Sequence, residues 1–273
     1  MGRRPTLNHH ISVVTVTFNN QCELEQYWSA KTLRSFEWIV VDNASTDDSV
    51  SVARSLGATG IKLKANVGFA KANNIGMRAA VGEHLYFVNP DVKILERDFD
   101  SLGTMIDTYG ALVAPRLKNI EGSLQPNARG IPTLFSKVVS LFTKNGNSGC
   151  HDPNTAIDKS TTYWLTGAVV GSKRQIWHEL GGWNEKYFLY FEDIDLCLRA
   201  MKSKIPLMLL EDVKWIHEWK RNSNNFSLFH IIQHFRSATV FYAEYPSLLL
   251  PKALSRKILT NNGIVPMVPE EGK

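Results

Sequence analysis

The stretch HLYFVNPDV, residues 84–92, decides the fold. Its apolar run has the composition of a buried strand, and Pro90 lacks the amide hydrogen a central strand needs. The strand therefore ends near Asn89 and leaves one carboxylate, Asp91, just past it. Working outward, ISVVTVTF (11–18), EWIVVD (37–42) and IKLK (61–64) are further short strand signals rich in β-branched residues. Between them lie helix-like segments: LEQYWSAKTL (24–33), DDSVSVARSL (47–56) with Ser45 or Thr46 as its N-cap, and FAKANNIGMRAA (69–80). Strand and helix in alternation predict an α/β fold with a mostly parallel central sheet flanked by helices. Such sheets bind ligands at the carboxyl ends of their strands. That rim carries Thr17 to Asn20, Asp42, and Asn89 to Asp91.

The alternation stops after ALVAPRL (111–117). Residues 118–160 are rich in Asn, Gly, Pro and Ser and read as long loops around IPTLFSKVVSLF (131–142), in the style of a lid or an acceptor-facing insertion. Order returns with a strand at LTGAVVGS (165–172), helices at KRQIWHELGG (173–182) and DIDLCLRAMKS (193–203), and a strand region at PLMLLEDVKWIH (206–217). Last, SLFHIIQHFRSATVFYAEY (227–245) places Leu228, Ile231, Ile232, Phe235, Ala238 and Tyr242 on one helical face, with Lys252, Arg256 and Lys257 beyond it. This helix either packs on the core or lies in a membrane interface. The expected organisation is one domain over 1–225 and an amphipathic helix with a basic tail over 226–273.

Composition narrows the function. With 44% apolar and 21% charged residues among 273, the chain can bury a large core. Cys22, Cys150 and Cys197 are an odd number without zinc spacing, which fits reduced thiols in a cytoplasmic protein. MGRRPTLNHH has no apolar segment behind its arginines, and no stretch reaches the roughly 18 uncharged apolar residues of a membrane span. The net charge of +5 suits an anionic partner. Nucleic acid is not expected, because zinc pairs, arginine-rich runs and aromatic-plus-basic motifs are all missing. A nucleotide or a membrane surface fits better.

Three acidic places carry candidate chemistry. Asp42 follows the second strand, where an acid accepts hydrogen bonds from a base or ribose, or else only caps the turn. Asp91 would offer oxygen to Mg²⁺ or Mn²⁺ beside substrate phosphates, or else belongs to a simple turn. In YFLYFEDIDLCLRA (187–200), Glu192, Asp193 and Asp195 are either an acidic helix start or a carboxylate at a cleft mouth, able to take a proton from a hydroxyl nucleophile.

Taken in order, ISVVTVTFNN, IVVDNASTDDS, ANVGFAKANNIG, YFVNPDV, LTGAVVGSKRQIWHELGGWNEKYFLYFEDIDLCLRA and WIH resemble the inverting family 2 glycosyltransferases, over most of residues 11–223. The similarity is to the rhamnosyltransferase-like branch that builds bacterial surface polysaccharides such as O-antigen. The resemblance implies a GT-A type fold and transfer of a sugar, with dTDP-rhamnose favoured as donor, to a lipid-linked or polysaccharide hydroxyl. It implies that Thr17, Asn19, Asp42, Asn66, Gly68, Asn73 and Asn89 serve the nucleotide, and that Asp91 and His217 stand at a divalent metal. Asp193 would be the catalytic base, with Glu192 beside it orienting the acceptor. Asn89 replaces the first acid of the Asp-x-Asp motif of other members, so the metal has fewer charged ligands. A lone histidine such as His217 can instead be a structural hydrogen-bonder. A dehydrogenase would need a glycine-rich turn where TFNNQCEL stands. The remaining rival is a non-catalytic nucleotide-sugar-binding or scaffold protein on the same fold.

Overall fold

The computed structural model describes residues 11–28, 36–135, 162–218 and 228–267. Its eight-stranded sheet is built from β1 (Ile11–Thr17), β2 (Glu37–Asp42), β3 (Thr59–Lys62), β4 (His84–Val88), β5 (Val92–Lys93), β6 (Leu112–Lys118), β9 (Val169–Lys173) and β10 (Leu207–His217). The order is β3-β2-β1-β4-β9-β6-β10-β5. A separate pair joins β7 (Ala128–Arg129) to β8 (Trp164–Leu165).

Strands β1 to β4 run parallel, as the alternation predicts, and β1 faces β2 in a register that sets Thr17 opposite Asp42. Strand β9 runs antiparallel between β4 and β6, and β5 is antiparallel to β10. Consecutive residues alternate between two buried layers. Val14, Leu85 and Phe87 enter the layer of α3 (Phe69–Ala79), α5 (Arg174–Glu179) and α6 (Glu192–Lys202). Val13, Tyr86 and Val88 enter the layer holding Leu24, Ala53 and Leu102, which belong to α1 (Gln21–Tyr27), α2 (Ser49–Ser55) and α4 (Phe99–Tyr109). A strand buried on both faces reads as continuously apolar for this reason.

Several boundaries differ from those predicted. Helix α1 begins at Gln21 and stops at Trp28, whose extended backbone turns its ring to stack on Trp38 at 4.3 Å; residues 29–33 lie outside the described region. Helix α2 starts after Asp48, whose side chain makes no capping bond, rather than at Ser45 or Thr46; the Ser45 hydroxyl instead accepts from the Asn19 N–H. The 165–172 strand is two, broken at Thr166–Ala168. Of the apolar 131–142 stretch, Ile131 is buried and Phe135 exposed, and residues 136–142, with Cys150, lie outside the described residues.

The C-terminal helix α7 (Leu228–Glu244) divides along its length. Phe241 and Tyr242 pack into the same core as α6, but Leu228, Ile232 and Phe235 are 71, 52 and 69% exposed. Helix α8 (Lys252–Asn261) seats Leu259 against that core and leaves Lys252, Arg256 and Lys257 outside. Among the described residues no helix is long and apolar enough to cross a membrane.

Candidate active site

Two cavities open at the carboxyl rim. One, of about 490 Å³, is walled by Asn19, Asn43, Asn66, Gly68, Phe188 and Phe229. The other, of about 390 Å³, is walled by Gln125, Arg129, Trp164, Glu192, Asp193 and His217. They share Phe69, Asn89, Asp91 and Leu189, so Asp91 stands at their junction.

The first cavity is rimmed by asparagines. Asn19 sits at φ 58, a left-handed conformation Asn tolerates, and its Oδ1 accepts from Thr46 N at 2.8 Å. Asn43 Oδ1 accepts from Val67 N, and its Nδ2 donates to Asn66 Oδ1, each at 2.8 Å. Thus Asn66 reaches the cavity as expected, and Asn43, one residue past the acid the sequence singled out, reaches it too. Thr17, Asp42 and Asn73 do not line it. Asp42 is wholly buried, its Oδ1 taking the Ser45 N–H at 3.0 Å while Oδ2 has no hydrogen-bond partner. Asn73 donates back to Phe69 O within α3. Gly68 lines the cavity, but its missing side chain serves the protein itself: at φ +87, a Cβ would lie 2.6 Å from Phe188 O. The Phe69 N–H donates to that same oxygen at 2.7 Å.

At the junction, His217 Nε2 is 3.4 Å from Asp91 Oδ2. The other ring nitrogen, Nδ1, is 2.8 Å from Gln125 Oε1. The Gln125 amide is oriented by two acceptors, His217 O at 2.8 Å and Asn119 Oδ1 at 2.7 Å, which its Nε2 hydrogens satisfy. Its oxygen therefore faces Nδ1, and Nδ1 must carry the proton. Nε2 then faces the carboxylate either as an imidazolium donor or as a lone pair with a cation between the two groups. Such an outer partner is what holds a metal-ligating histidine in one tautomer. Among the described residues no group of three or more His, Cys, Asp or Glu is poised for a metal. Asp91 and His217 alone would leave most of a coordination shell to phosphate oxygens and water, the usual condition of Mg²⁺ and Mn²⁺.

Across the second cavity, Asp193 stands in the first turn of α6. Its Oδ2 accepts from Gly167 N at 3.1 Å and its Oδ1 from Ile194 N at 2.8 Å. Neighbouring Glu192 is buried with Oε2 lacking a hydrogen-bond partner. Burial, reinforced by the Asp193 and Asp195 charges, pushes the Glu192 carboxyl well above the usual range. Asp195 turns inward and binds Arg199 Nε at 2.7 Å and the Tyr245 hydroxyl at 3.0 Å, a structural role. The preceding residues are strained, Tyr190 at φ 70 and Phe191 at φ 71. Helix α7 holds them: Ser237 Oγ donates to Leu189 O at 2.7 Å, and His234 and Phe241 pack against Phe191.

Gln125, Asn127, Arg129 and Trp164 were not singled out in the sequence, although polar residues at 125, 127 and 129 alternate with period 2, the mark of an extended segment with one face turned to a site.

A mostly parallel sheet with paired cavities at its carboxyl rim, one asparagine-lined and one acidic, has the layout of an α/β enzyme that binds its ligands at the strand ends. The sequence model described as Glycosyl transferase family 2 matches residues 12–163, and the chain belongs to that family. It is a glycosyltransferase of GT-A fold. It is 25% identical over 259 residues to an N-acetylglucosaminyl-diphospho-decaprenol L-rhamnosyltransferase of Mycobacterium tuberculosis, covering 86% of this chain and 84% of the relative. Among solved structures it resembles S. aureus TarS 1-349, with a TM-score of 0.59 and 17% identity over 92% of this chain and 69% of that one. It also resembles the mannosyltransferase PcManGT from Pyrobaculum calidifontis in complex with GDP-Man and Mn²⁺, with a TM-score of 0.57 and 19% identity over 98% and 79%.

Proposed function

We propose that the protein is an inverting glycosyltransferase that moves a sugar, with rhamnose from dTDP-rhamnose favoured, from a nucleotide diphosphate to a hydroxyl of a lipid-linked glycan. The observation that carries this reading is the meeting of two cavities at Asp91, with Asp193 on the wall of the second alone. The nucleotide occupies the asparagine-lined cavity against Asn19, Asn43 and Asn66. Its diphosphate lies at the junction, and the acceptor enters past Trp164. Asp193 takes the proton of the attacking hydroxyl, its carboxylate aimed by two backbone N–H groups. Glu192, whose carboxyl burial pushes well above the usual range, donates a hydrogen bond to the acceptor when it carries its proton. Asp91 and His217 would hold Mg²⁺ or Mn²⁺, which neutralises charge on the departing diphosphate.

The name of the mycobacterial relative, a rhamnosyltransferase acting on a diphospho-lipid acceptor, supports both donor and acceptor class. Work at the cytoplasmic face of a membrane follows from such an acceptor. The exposed stripe Leu228, Ile232 and Phe235 and the cations Lys252, Arg256 and Lys257 suit an interfacial contact. A donor screen tests the whole: purified protein is mixed with dTDP-rhamnose, UDP-sugars or GDP-sugars and lipid-linked acceptors, and products are read by mass. A dTDP-rhamnose-dependent gain of one deoxyhexose is the expected result, and transfer from another donor alone refutes the rhamnose assignment.

A further inference from the structure

We infer that Arg129 and Trp164 form a phosphate subsite for the acceptor, so that the substrate is a sugar bearing a phosphate on its anomeric carbon, on the same ring as the hydroxyl that attacks. This rests on the glycosyl-transfer reading above. Among the described residues lining the two cavities, Arg129 is the one arginine or lysine. Asp91, Glu192 and Asp193 share its cavity, and its guanidinium forms no ion pair with them. It is fixed from two other directions instead. Nε donates to Pro126 O at 2.9 Å, and Cζ lies 5.1 Å above the Trp164 ring. Among the described residues the two terminal nitrogens have no partner. A guanidinium anchored through Nε and one face at the wall of a cavity keeps its two terminal nitrogens for a ligand, a preorganised fork for two oxygens of one phosphate or carboxylate.

Position assigns the anion to the acceptor rather than the donor. The donor's diphosphate belongs at the junction with Asp91, whereas Arg129 and Trp164 line only the second cavity. They are paired across β7 and β8. Trp164 lies three residues before Gly167, whose N–H holds Asp193, a chain distance of at most about 11 Å. That is the scale of one sugar ring with a phosphate on its anomeric carbon, the ring hydroxyl at Asp193 and the phosphate at Arg129. Trp164 offers its face to the cation and its edge to the sugar, which explains why the aromatic and the cation occur as a cross-strand pair.

The test has two arms. In the first, inorganic pyrophosphate is titrated calorimetrically into the full chain in chelator, so that Asp91 and His217 contribute no metal. Wild type binds, Arg129→Gln binds roughly tenfold or more weakly, and Arg129→Lys falls between because lysine keeps the charge but not the fork. Equal affinity in wild type and Arg129→Gln, or no heat in wild type at millimolar pyrophosphate, overturns the subsite. In the second arm, N-acetylglucosaminyl diphosphate on a short prenyl chain is compared with the prenyl glycoside lacking phosphate. Arg129→Gln raises KM for the first by about tenfold at nearly constant kcat and leaves KM for the second unchanged. Product formation with an unmoved KM refutes the assignment while the transferase reading stands. If no acceptor gives product, the transferase reading fails and the pyrophosphate arm alone decides the subsite. Thermal unfolding of Arg129→Lys close to wild type separates lost binding from lost folding.

Discussion

Replacing Gln125 by leucine removes a residue that is buried and makes three hydrogen bonds of 2.7 to 2.8 Å, to Asn119 Oδ1, His217 O and His217 Nδ1. Leucine fills nearly the same volume, so the loss is polar rather than steric. His217 Nδ1–H and His217 O lose their partner in a buried setting at about 1–2 kcal/mol each, while Asn119, nearer solvent, recovers water. The expected destabilisation is about 3 kcal/mol, or roughly 6–12 °C in Tm for a chain of this size. A second effect is separable. Without Gln125 Oε1, the hydrogen bond that keeps the proton on Nδ1 is lost, and with it one constraint that aims Nε2 at Asp91. Loss of such an outer partner costs about 10- to 100-fold in metal affinity. Mn²⁺ titration followed by electron paramagnetic resonance, with nucleotide diphosphate present, reads this effect, and ¹⁵N-imidazole NMR reads the tautomer in metal-free protein. Gln125→Glu keeps an oxygen toward Nδ1 but presents another to two acceptors, so it should retain the tautomer while losing stability. If Gln125→Leu unfolds earlier but binds Mn²⁺ like wild type, the tautomer argument is refuted; an unchanged Tm refutes the network itself.

Other consequences are open to measurement. Asp193→Asn should preserve donor affinity while turnover falls by about two to four orders of magnitude, and near-normal turnover would remove Asp193 from the role of base. Asp91→Ala should weaken nucleotide-diphosphate binding only when Mg²⁺ or Mn²⁺ is present; an equal loss in chelator would mean that the carboxylate acts without a cation. Because burial raises the Glu192 carboxyl, the folded state binds that proton more tightly than the unfolded chain. Stability from this group is therefore full below about pH 4.3 and is lost as pH rises toward the folded value. Glu192→Gln should flatten the decline in Tm above pH 4.3, and an identical slope in both proteins would contradict a raised pKa. Aspartate at Leu228, Ile232 and Phe235 together should abolish salt-sensitive binding to anionic vesicles and leave the fold intact, since these side chains are exposed. Binding that survives the triple change would locate the contact elsewhere.

The parallel half of the sheet was legible because β1 and β2 are apolar runs rich in β-branched residues that end in Thr17 and Asp42, and β4 is an apolar run that ends at Val88, just before Asn89. The direction of β9 was not, since a strand buried on both faces carries no mark of its polarity. Periodicity showed that α7 has an apolar face but not where the core lies. The structure turns Leu228, Ile232 and Phe235 outward, and helical phase brings Gln233 and Ser237 inward. The motifs found Asp91, Asp193 and His217, which the structure gathers around one cavity. Asn73 was placed in the nucleotide pocket on the same grounds, yet it is used to bond Phe69 O inside its own helix. Gln125 and Arg129 escaped notice because they act from a loop-like segment whose partners, His217 and Trp164, are distant in sequence.

The break between β8 and β9 joins the two halves of the site through peptide groups alone. Ala168 O accepts the Asn89 N–H at 2.9 Å, and the adjacent Gly167 N–H holds Asp193 at 3.1 Å. Consecutive residues thus act as a ruler between the Asn89–Asp91 turn and the carboxylate opposite, with graduations set by bond lengths rather than by side chains. Evolutionary drift is constrained differently by such a part. Substitutions that keep the backbone path are tolerated, but a single insertion or deletion shifts one mark against the other by about 3.3 Å, farther than a hydrogen bond can stretch. In a deep library of length variants, residues 166–168 should be intolerant of every indel, and Gly167 of larger side chains as well, since a Cβ there would lie 3.3 Å from Asp193 Cβ, whereas the exposed turn at 120–123 should accept both kinds of change.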